Sequence, residues 1–153
     1  MSADEGVRVV VVHGSTAQTP TLWNTTRRLR GSGVHVTAFF PGKVPPRKPK
    51  GVAAFPISVT PAPSRRRVRS WLRWLPVGRQ QRRAAATPDV DRLWLVAAGD
   101  QRLDSAVRAA DVLVAADRAA VPTVWHLMHH NQHADAVLGY GEAARRISAR
   151  TGA

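Results

Sequence analysis

The sequence predicts a single α/β domain built on a doubly wound, mostly parallel sheet of the Rossmann-like kind. Three observations lead to this fold class. Strand-like runs alternate with helical segments along most of the chain, the runs are almost continuously apolar, and short turns rich in glycine, proline and aspartate separate them. A length of 153 residues suits one domain with its own core. We therefore expect residues 1–153 to form one domain of about five or six strands.

The chain opens with a predicted βαβ unit. Val7–Val12 has the unbroken apolar character of a central strand that is covered on both faces. The pair Thr19-Pro20 supplies an N-cap and a proline at the first helical position, which predicts a helix over about residues 20–30. Val34–Phe40 is the second predicted strand.

Residues 41–88 are predicted to be a proline-rich and arginine-rich insertion. Seven of the eleven prolines lie between Pro41 and Pro63, so we expect a loop or mobile connection there, with a short strand at about Ala53–Val59. Residues 64–75 then have the spacing of a basic amphipathic helix, with Val, Trp and Leu on one side and Arg on the other. Its candidate polyanion-binding residues are Arg65, Arg66, Arg67, Arg69, Trp71, Arg73 and Trp74.

The charge of the chain is concentrated in this first half. Residues 6–88 hold sixteen Lys and Arg and no Asp or Glu, whereas residues 89–153 hold seven basic and eight acidic residues. A helix of this kind is suited to an anionic membrane surface, where arginines meet phosphates and tryptophans lie at the apolar boundary. Two alternatives stay open: the apolar side packs on the domain's own core, or Arg and Trp together bind nucleic acid.

Strands and helices continue to alternate in the second half. The predicted elements are a strand at Leu93–Ala98, a helix at about 103–110, a strand at Val112–Ala116, a helix from about residue 121 to 130, a strand at Ala136–Gly139 and a last helix at about 142–150.

Composition also bears on the expected compartment. The absence of cysteine excludes disulfides and thiolate zinc sites. No secretory leader and no apolar run of about 18 residues is recognisable, so we expect a cytoplasmic protein, either free or peripheral at the inner membrane face.

The carboxyl ends of the predicted strands form the expected site, because open parallel sheets bind ligands there at a switch in strand order. The residues gathered at this edge would be His13, Gly14, Ser15, Thr16, Gly99, Asp100, Asp117 and Arg118. The backbone N–H groups after the first strand are suited to an anion, although the chain has neither a P-loop nor a Gly-x-Gly-x-x-Gly motif. For Asp117 and Asp100, capping of the following helix competes with a ligand-binding role.

Three stretches carry a resemblance to a known family. The strand, glycine-containing turn and helix at Val7–Leu29, the proline-rich and Arg/Trp-rich stretch, and the segment Ala110–Trp125 are similar to the N-terminal half of GT-B glycosyltransferases. In that family the N-terminal domain binds the acceptor, often a lipid or a glycan, and the C-terminal domain holds the nucleotide-sugar. The resemblance implies His13 as candidate base at the acceptor hydroxyl. It implies no cofactor in this chain, and a nucleotide-sugar donor only where a second domain is present.

Four of the six histidines form a cluster at 126–133. His126, His129, His130 and His133 have helical spacings that would place them on one side of a helix, where an i, i+4 pair chelates zinc, nickel or copper. A solvated face is the commoner outcome for such a cluster, so no metal site is predicted.

Two classes of function follow from these observations. In the first, the chain is an acceptor-binding half-domain that docks on an anionic membrane or lipid-linked acceptor and needs a donor-binding partner for sugar transfer. In the second, it is a non-enzymatic module that binds anionic lipid or nucleic acid.

Overall fold

The computed structural model describes residues 6–15, 21–31, 33–57 and 90–152. They form one five-stranded sheet whose neighbouring strands are all parallel. Its strands are β1 (Val7–Val12), β2 (Val34–Pro41), β3 (Val52–Ile57), β4 (Val112–Ala115) and β5 (Asp135–Leu138). Their order across the sheet is β3-β2-β1-β4-β5. The predicted α/β class with a single parallel, Rossmann-like sheet is confirmed.

Helices flank both faces of the sheet. They are α1 (Thr21–Leu29), α2 (Val90–Ala97), α3 (Gln101–Arg108), α4 (Val121–Leu127) and α5 (Tyr140–Thr151). Short 3-10 turns at Arg118–Ala120 and Met128–His130 precede and follow α4. The core has two parts: strand residues such as Phe39 and Leu113 pack with α2, α3 and α4, and alternate residues such as Val11 and Phe40 pack with α1 and α5. Alternation along a strand sends successive side chains to opposite faces, so this sheet is buried on both.

One predicted element is wrong. Residues 93–98 were expected to be a strand, but residues 90–97 form the helix α2. The reason is that a short continuous apolar run fits a buried strand and a buried helix equally well. Leu93 and Ala97, four residues apart, are buried, whereas Ala98 is exposed, which is the pattern of one helical face.

The proline-rich connection between β2 and β3 replaces a crossover helix. Residues 42–51 run along the α1 face, where the indole Nε1 of Trp23 donates a hydrogen bond to the carbonyl oxygen of Pro46 at 2.9 Å. Arg47 in this loop has a positive φ of 62°. The expected short strand at about Ala53–Val59 is confirmed as β3, which pairs in parallel with β2. The predicted basic helix at 64–75 and residue Thr16 lie outside the described residues.

Candidate functional site at the switch between β1 and β4

The strand order of the sheet changes direction beside β1, at the carboxyl edge where the sequence predicts a site. The chain leaves β1 towards β2 on one side, and β4 lies on the other side of β1, so the order changes direction between β1 and β4. His13, Gly14 and Ser15 follow β1, and Asp117 lies two residues after β4. Hydrogen bonds from Gly14 and Ser15 to one carboxylate join the segment after β1 to the segment after β4.

That carboxylate belongs to Asp117. Its Oδ2 accepts hydrogen bonds from the backbone N–H groups of Gly14 and Ser15, each at 3.2 Å. Its Oδ1 accepts from the backbone N–H of Ala120 at 2.9 Å, which caps the 3-10 turn. The capping interpretation of Asp117 is confirmed. The two N–H groups that sequence reasoning offered to an external anion are therefore held by an anion of the chain itself.

Gly14 packs tightly against the 3-10 turn that Asp117 caps. A Cβ atom on this residue would lie 2.3 Å from the backbone carbon of Ala119 and 2.3 Å from the backbone nitrogen of Ala120. Real Cβ atoms do not approach backbone so closely, so glycine is required here by the packing of the loop against the 3-10 turn. The close approach that the sequence suggested is made to the protein's own backbone.

His13 is the buried polar group of the site. Its side chain is 1% exposed, and its ring stacks on that of Phe40 with centroids 4.4 Å apart and planes 3° apart. Its Nε2 atom is buried and has no hydrogen-bond partner among the residues that the structure describes. Burial lowers the pKa of His13 to about 4, and the negative charge of Asp117 opposes this shift. The imidazole is therefore neutral at neutral pH.

Tyr140 and Thr26 were missed by sequence reasoning. Tyr140 begins α5 directly after the turn that ends β5, and burial raises its pKa, with the nearby Thr26 side chain lowering it and Asp117 raising it. Asp117 thus acts electrostatically on both His13 and Tyr140. A signal for Tyr140 existed, since it follows a predicted strand at the carboxyl edge. Thr26 is a buried polar residue on the stripe of α1 that carries Trp23 and Leu29.

Gly99 and Asp100 do not follow a strand, because the segment before them is α2. Both lie in the turn between α2 and α3, where the Asp100 side chain accepts hydrogen bonds from the backbone N–H groups of Arg102 and Leu103. Asp100 is the N-cap of α3, and its capping interpretation is confirmed. Arg118, the first residue of the 3-10 turn, is exposed.

Three of the four clustered histidines contact aromatic or acidic side chains through their rings, and two of them, His126 and His129, both contact Trp125. His126 stacks on Trp94 at 4.4 Å, and His129 lies edge-on to Trp125. His130 Nδ1 is 2.6 Å from Asp104 Oδ1, and this contact, with Arg108, lowers the pKa of Asp104. Within the described ranges, no group of three or more His, Cys, Asp or Glu side chains is arranged to hold a metal ion. α4 ends at Leu127, so a continuous helix does not align the four imidazoles.

A second surface feature is a group of seven exposed basic residues, which we call the basic face: Arg27, Arg28, Arg30, Lys43, Arg47, Lys48 and Lys50. They lie on α1, at the residue that follows it and on the 42–51 connection, which the Trp23–Pro46 hydrogen bond joins to α1. Arg30 also lies against Gly51, because a Cβ there would be 2.9 Å from the Arg30 guanidinium. Residues 6–57 contain no Asp or Glu to neutralise this face.

The fold and the site define a Rossmann-like α/β protein with a closed, self-capped loop after its first strand. No protein family matches the chain, and no similar curated protein or solved structure was found. In the part of the chain that the structure covers, no helix combines the length and apolar character needed to cross a bilayer.

Proposed function

We propose that the chain is the acceptor-binding half of a two-part, GT-B type glycosyltransferase that works at an anionic membrane surface. The observation that carries the proposal is His13, a buried imidazole at the switch point of the sheet whose Nε2 has no partner in the described part of the chain. A buried polar atom without a partner costs about 1–3 kcal/mol, so its presence at the ligand-binding edge favours a functional role.

In this proposal His13 is the base. Its low pKa keeps the imidazole unprotonated at neutral pH, and Asp117 stabilises the imidazolium as it forms. The acceptor oxygen bonds to the anomeric carbon of a nucleotide-sugar while its proton passes to Nε2. The bond from that carbon to the diphosphate breaks, and its electrons leave with the diphosphate. A partner domain binds the donor. Because Nε2 is out of contact with water, the acceptor has to open the site to reach it.

The docking part of the proposal is supported by the basic face. Seven exposed cations on α1 and the 42–51 connection are suited to anionic headgroups, each contributing about 1 kcal/mol near such a surface. The arginines and tryptophans of residues 64–75 would add to this attraction. The basic face equally favours the second candidate, a module that binds polyanions and catalyses nothing.

The acceptor site is tested by recording the NMR signals of His13 while octyl glucoside is added below its micelle concentration. We expect a saturable shift at His13 and at the amides of residues 13–15. Octylphosphocholine, which has the same chain and no sugar hydroxyls, should leave these signals in place, and His13→Phe, which keeps the stack on Phe40, should abolish sugar binding. Equal shifts with both detergents would contradict the proposed site.

Docking is tested by sedimentation of the protein with neutral and with anionic vesicles, in low and high salt, with duplex DNA as competitor. Selective, salt-sensitive sedimentation with anionic vesicles is expected to be lost when Arg27, Arg28 and Lys48 are replaced by Glu. The control, Arg145→Glu, changes an 83% exposed arginine on α5 outside the basic face and should bind normally. Displacement of the protein from vesicles by DNA would support the polyanion-binding module instead.

A further inference from the structure

The exposed apolar side chains of the described residues are concentrated at one edge of the sheet. Val121 and Trp125 of α4 are 38% and 57% exposed, and Leu138 of β5 is 54% exposed. Together with Met128 and Ala136 they line an apolar groove of about 390 Å³ between α4 and β5. Apolar residues gathered in this way mark a binding surface.

The backbone of β5 is open along the same edge. Asp135 N donates to Asp111 O at 2.9 Å and Gly139 N donates to Ala115 O at 2.8 Å, so the odd-numbered residues direct their backbone groups to β4. In a parallel ladder the alternate residues, Ala136 and Leu138, direct theirs away from it. No element in the described ranges pairs with this outer side. The strand also has no proline or lysine, the residues that usually protect an exposed edge.

We propose that this edge is the dimer interface of the protein, occupied by β5 of a second copy. A two-fold axis at Val137 places Ala136 opposite the second copy's Leu138 in an antiparallel pair. The outward N–H and C=O groups of both residues then bond across the axis, and the two sheets become one sheet of ten strands. The grooves beside β5 meet at the axis, where Trp125 and Leu138 of each copy are buried.

The charge distribution allows a second copy at this edge and opposes one at the other edge of the sheet. The whole chain carries a net charge of +13, which opposes self-association in general. Residues 90–152, however, contain seven basic and seven acidic residues, and the basic face lies towards the other side of the sheet, on α1 and the connection that leads into β3. In the proposed dimer the two basic faces, which extend from α1 beside β1 and β2 to the connection into β3, are five to nine strand spacings apart, roughly 24–43 Å. That distance is several Debye lengths at physiological salt, so their repulsion is screened.

The same charges argue against the opposite edge. Pairing through β3 would bring together two copies of the loop that holds Lys43, Arg47, Lys48 and Lys50. Around β5 the charges are already balanced, because Arg146 pairs with Asp135 and Glu142, and Arg150 pairs with Asp135 and Asp111. The β5 edge therefore combines open backbone, apolar area and local neutrality.

The test is the mass of the full chain in solution, measured by sedimentation equilibrium from low to high micromolar concentration at physiological salt. We expect a reversible monomer–dimer equilibrium. Leu138→Lys places a charge at the axis in each copy and should weaken the dimer at least tenfold. Ala136→Pro removes an outward N–H that makes no bond to β4, and should weaken it as well.

Two controls separate loss of the interface from loss of the fold. Ala136→Ser keeps the N–H group, and Ser105→Lys adds the same charge as Leu138→Lys on an exposed position of α3; both should dimerise normally. Far-UV circular dichroism and thermal unfolding check that each variant is folded. A wild-type protein that is monomeric at every concentration would overturn the proposal, as would a dimer that Leu138→Lys and Ala136→Pro leave unchanged.

Discussion

Replacement of Asp117 by alanine tests the central feature of the site, a loop after β1 that is held by a carboxylate after β4. The substitution removes three hydrogen bonds, to Gly14 N, Ser15 N and Ala120 N. Loss of the cap costs about 1 kcal/mol. Each of the two 3.2 Å bonds to the loop adds about 1 kcal/mol, a modest value because Ser15 is exposed. The free energy of unfolding should therefore fall by about 3 kcal/mol, and Tm by roughly 6–12 °C.

The matched control is Asp100→Ala. Asp100 is also an N-cap, and within the described residues its side chain bonds only to the first turn of α3. Urea unfolding of both variants, followed by circular dichroism, should give a loss of about 1 kcal/mol for Asp100→Ala and a clearly larger one for Asp117→Ala. Amide exchange should become faster at residues 14 and 15 only in the Asp117 variant.

The pKa of His13 provides a second readout of the same substitution. Asp117 raises this pKa against the effect of burial, so Asp117→Ala and Asp117→Asn should both move it further below about 4. An Asp117→Ala variant that loses no more stability than Asp100→Ala would refute the reasoning, because the link to the loop would then contribute nothing.

Three further predictions concern neighbouring residues. The pKa of His13 is about 4 in the folded protein and 6.5 in a solvated chain, so between these pH values the unfolded state binds one proton more than the folded state. The free energy of unfolding should therefore fall by about 3 kcal/mol as the pH drops from 7 to 4. His13→Gln should remove this loss, as measured by urea unfolding at each pH. Gly14→Ala should destabilise the fold by more than about 2 kcal/mol in thermal unfolding, whereas Gly141→Ala, at an open position of α5, should be neutral or stabilising. Asn131→Ala should cost about 2–3 kcal/mol in the same assay, because its Nδ2 donates to the carbonyl oxygens of Val107 and Ala110, each at 2.8 Å.

Much of the sheet could be predicted because its strands differ sharply from their surroundings. β1, β2 and β4 are β-branched or apolar runs bounded by polar turns, and each was found within one or two residues of its predicted position. Residues 93–98 lacked that distinction, since Leu, Trp, Val and Ala occur in both kinds of buried element. Only tertiary packing, which buries Leu93 and Ala97 on one side, decides for a helix.

The site was predictable in location but not in its internal bonds. Strand ends alone indicate that His13 and Asp117 come close, because parallel strands present their carboxyl ends at one edge. The cap that Asp117 makes on the 3-10 turn was predicted from the local sequence. That the same carboxylate also holds the loop after β1 depends on the spacing of β1 and β4, which local sequence does not contain. Tyr140 could be assigned to the site only from the contact between α5 and α1, which joins residues more than a hundred positions apart in the chain.

The bond between Asp117 and the loop bears directly on which ligand the switch site can take. In nucleotide-binding Rossmann domains the N–H groups after β1 are left open for a phosphate. Here the Asp117 carboxylate already accepts hydrogen bonds from the N–H groups of Gly14 and Ser15. A phosphate that approached these groups would be repelled by the negative charge of Asp117. Next to this closed anion site lies a neutral imidazole with an unpartnered Nε2. Such a pair disfavours a diphosphate and favours an uncharged hydroxyl, so the sugar donor of the proposed reaction has to be bound by a different domain.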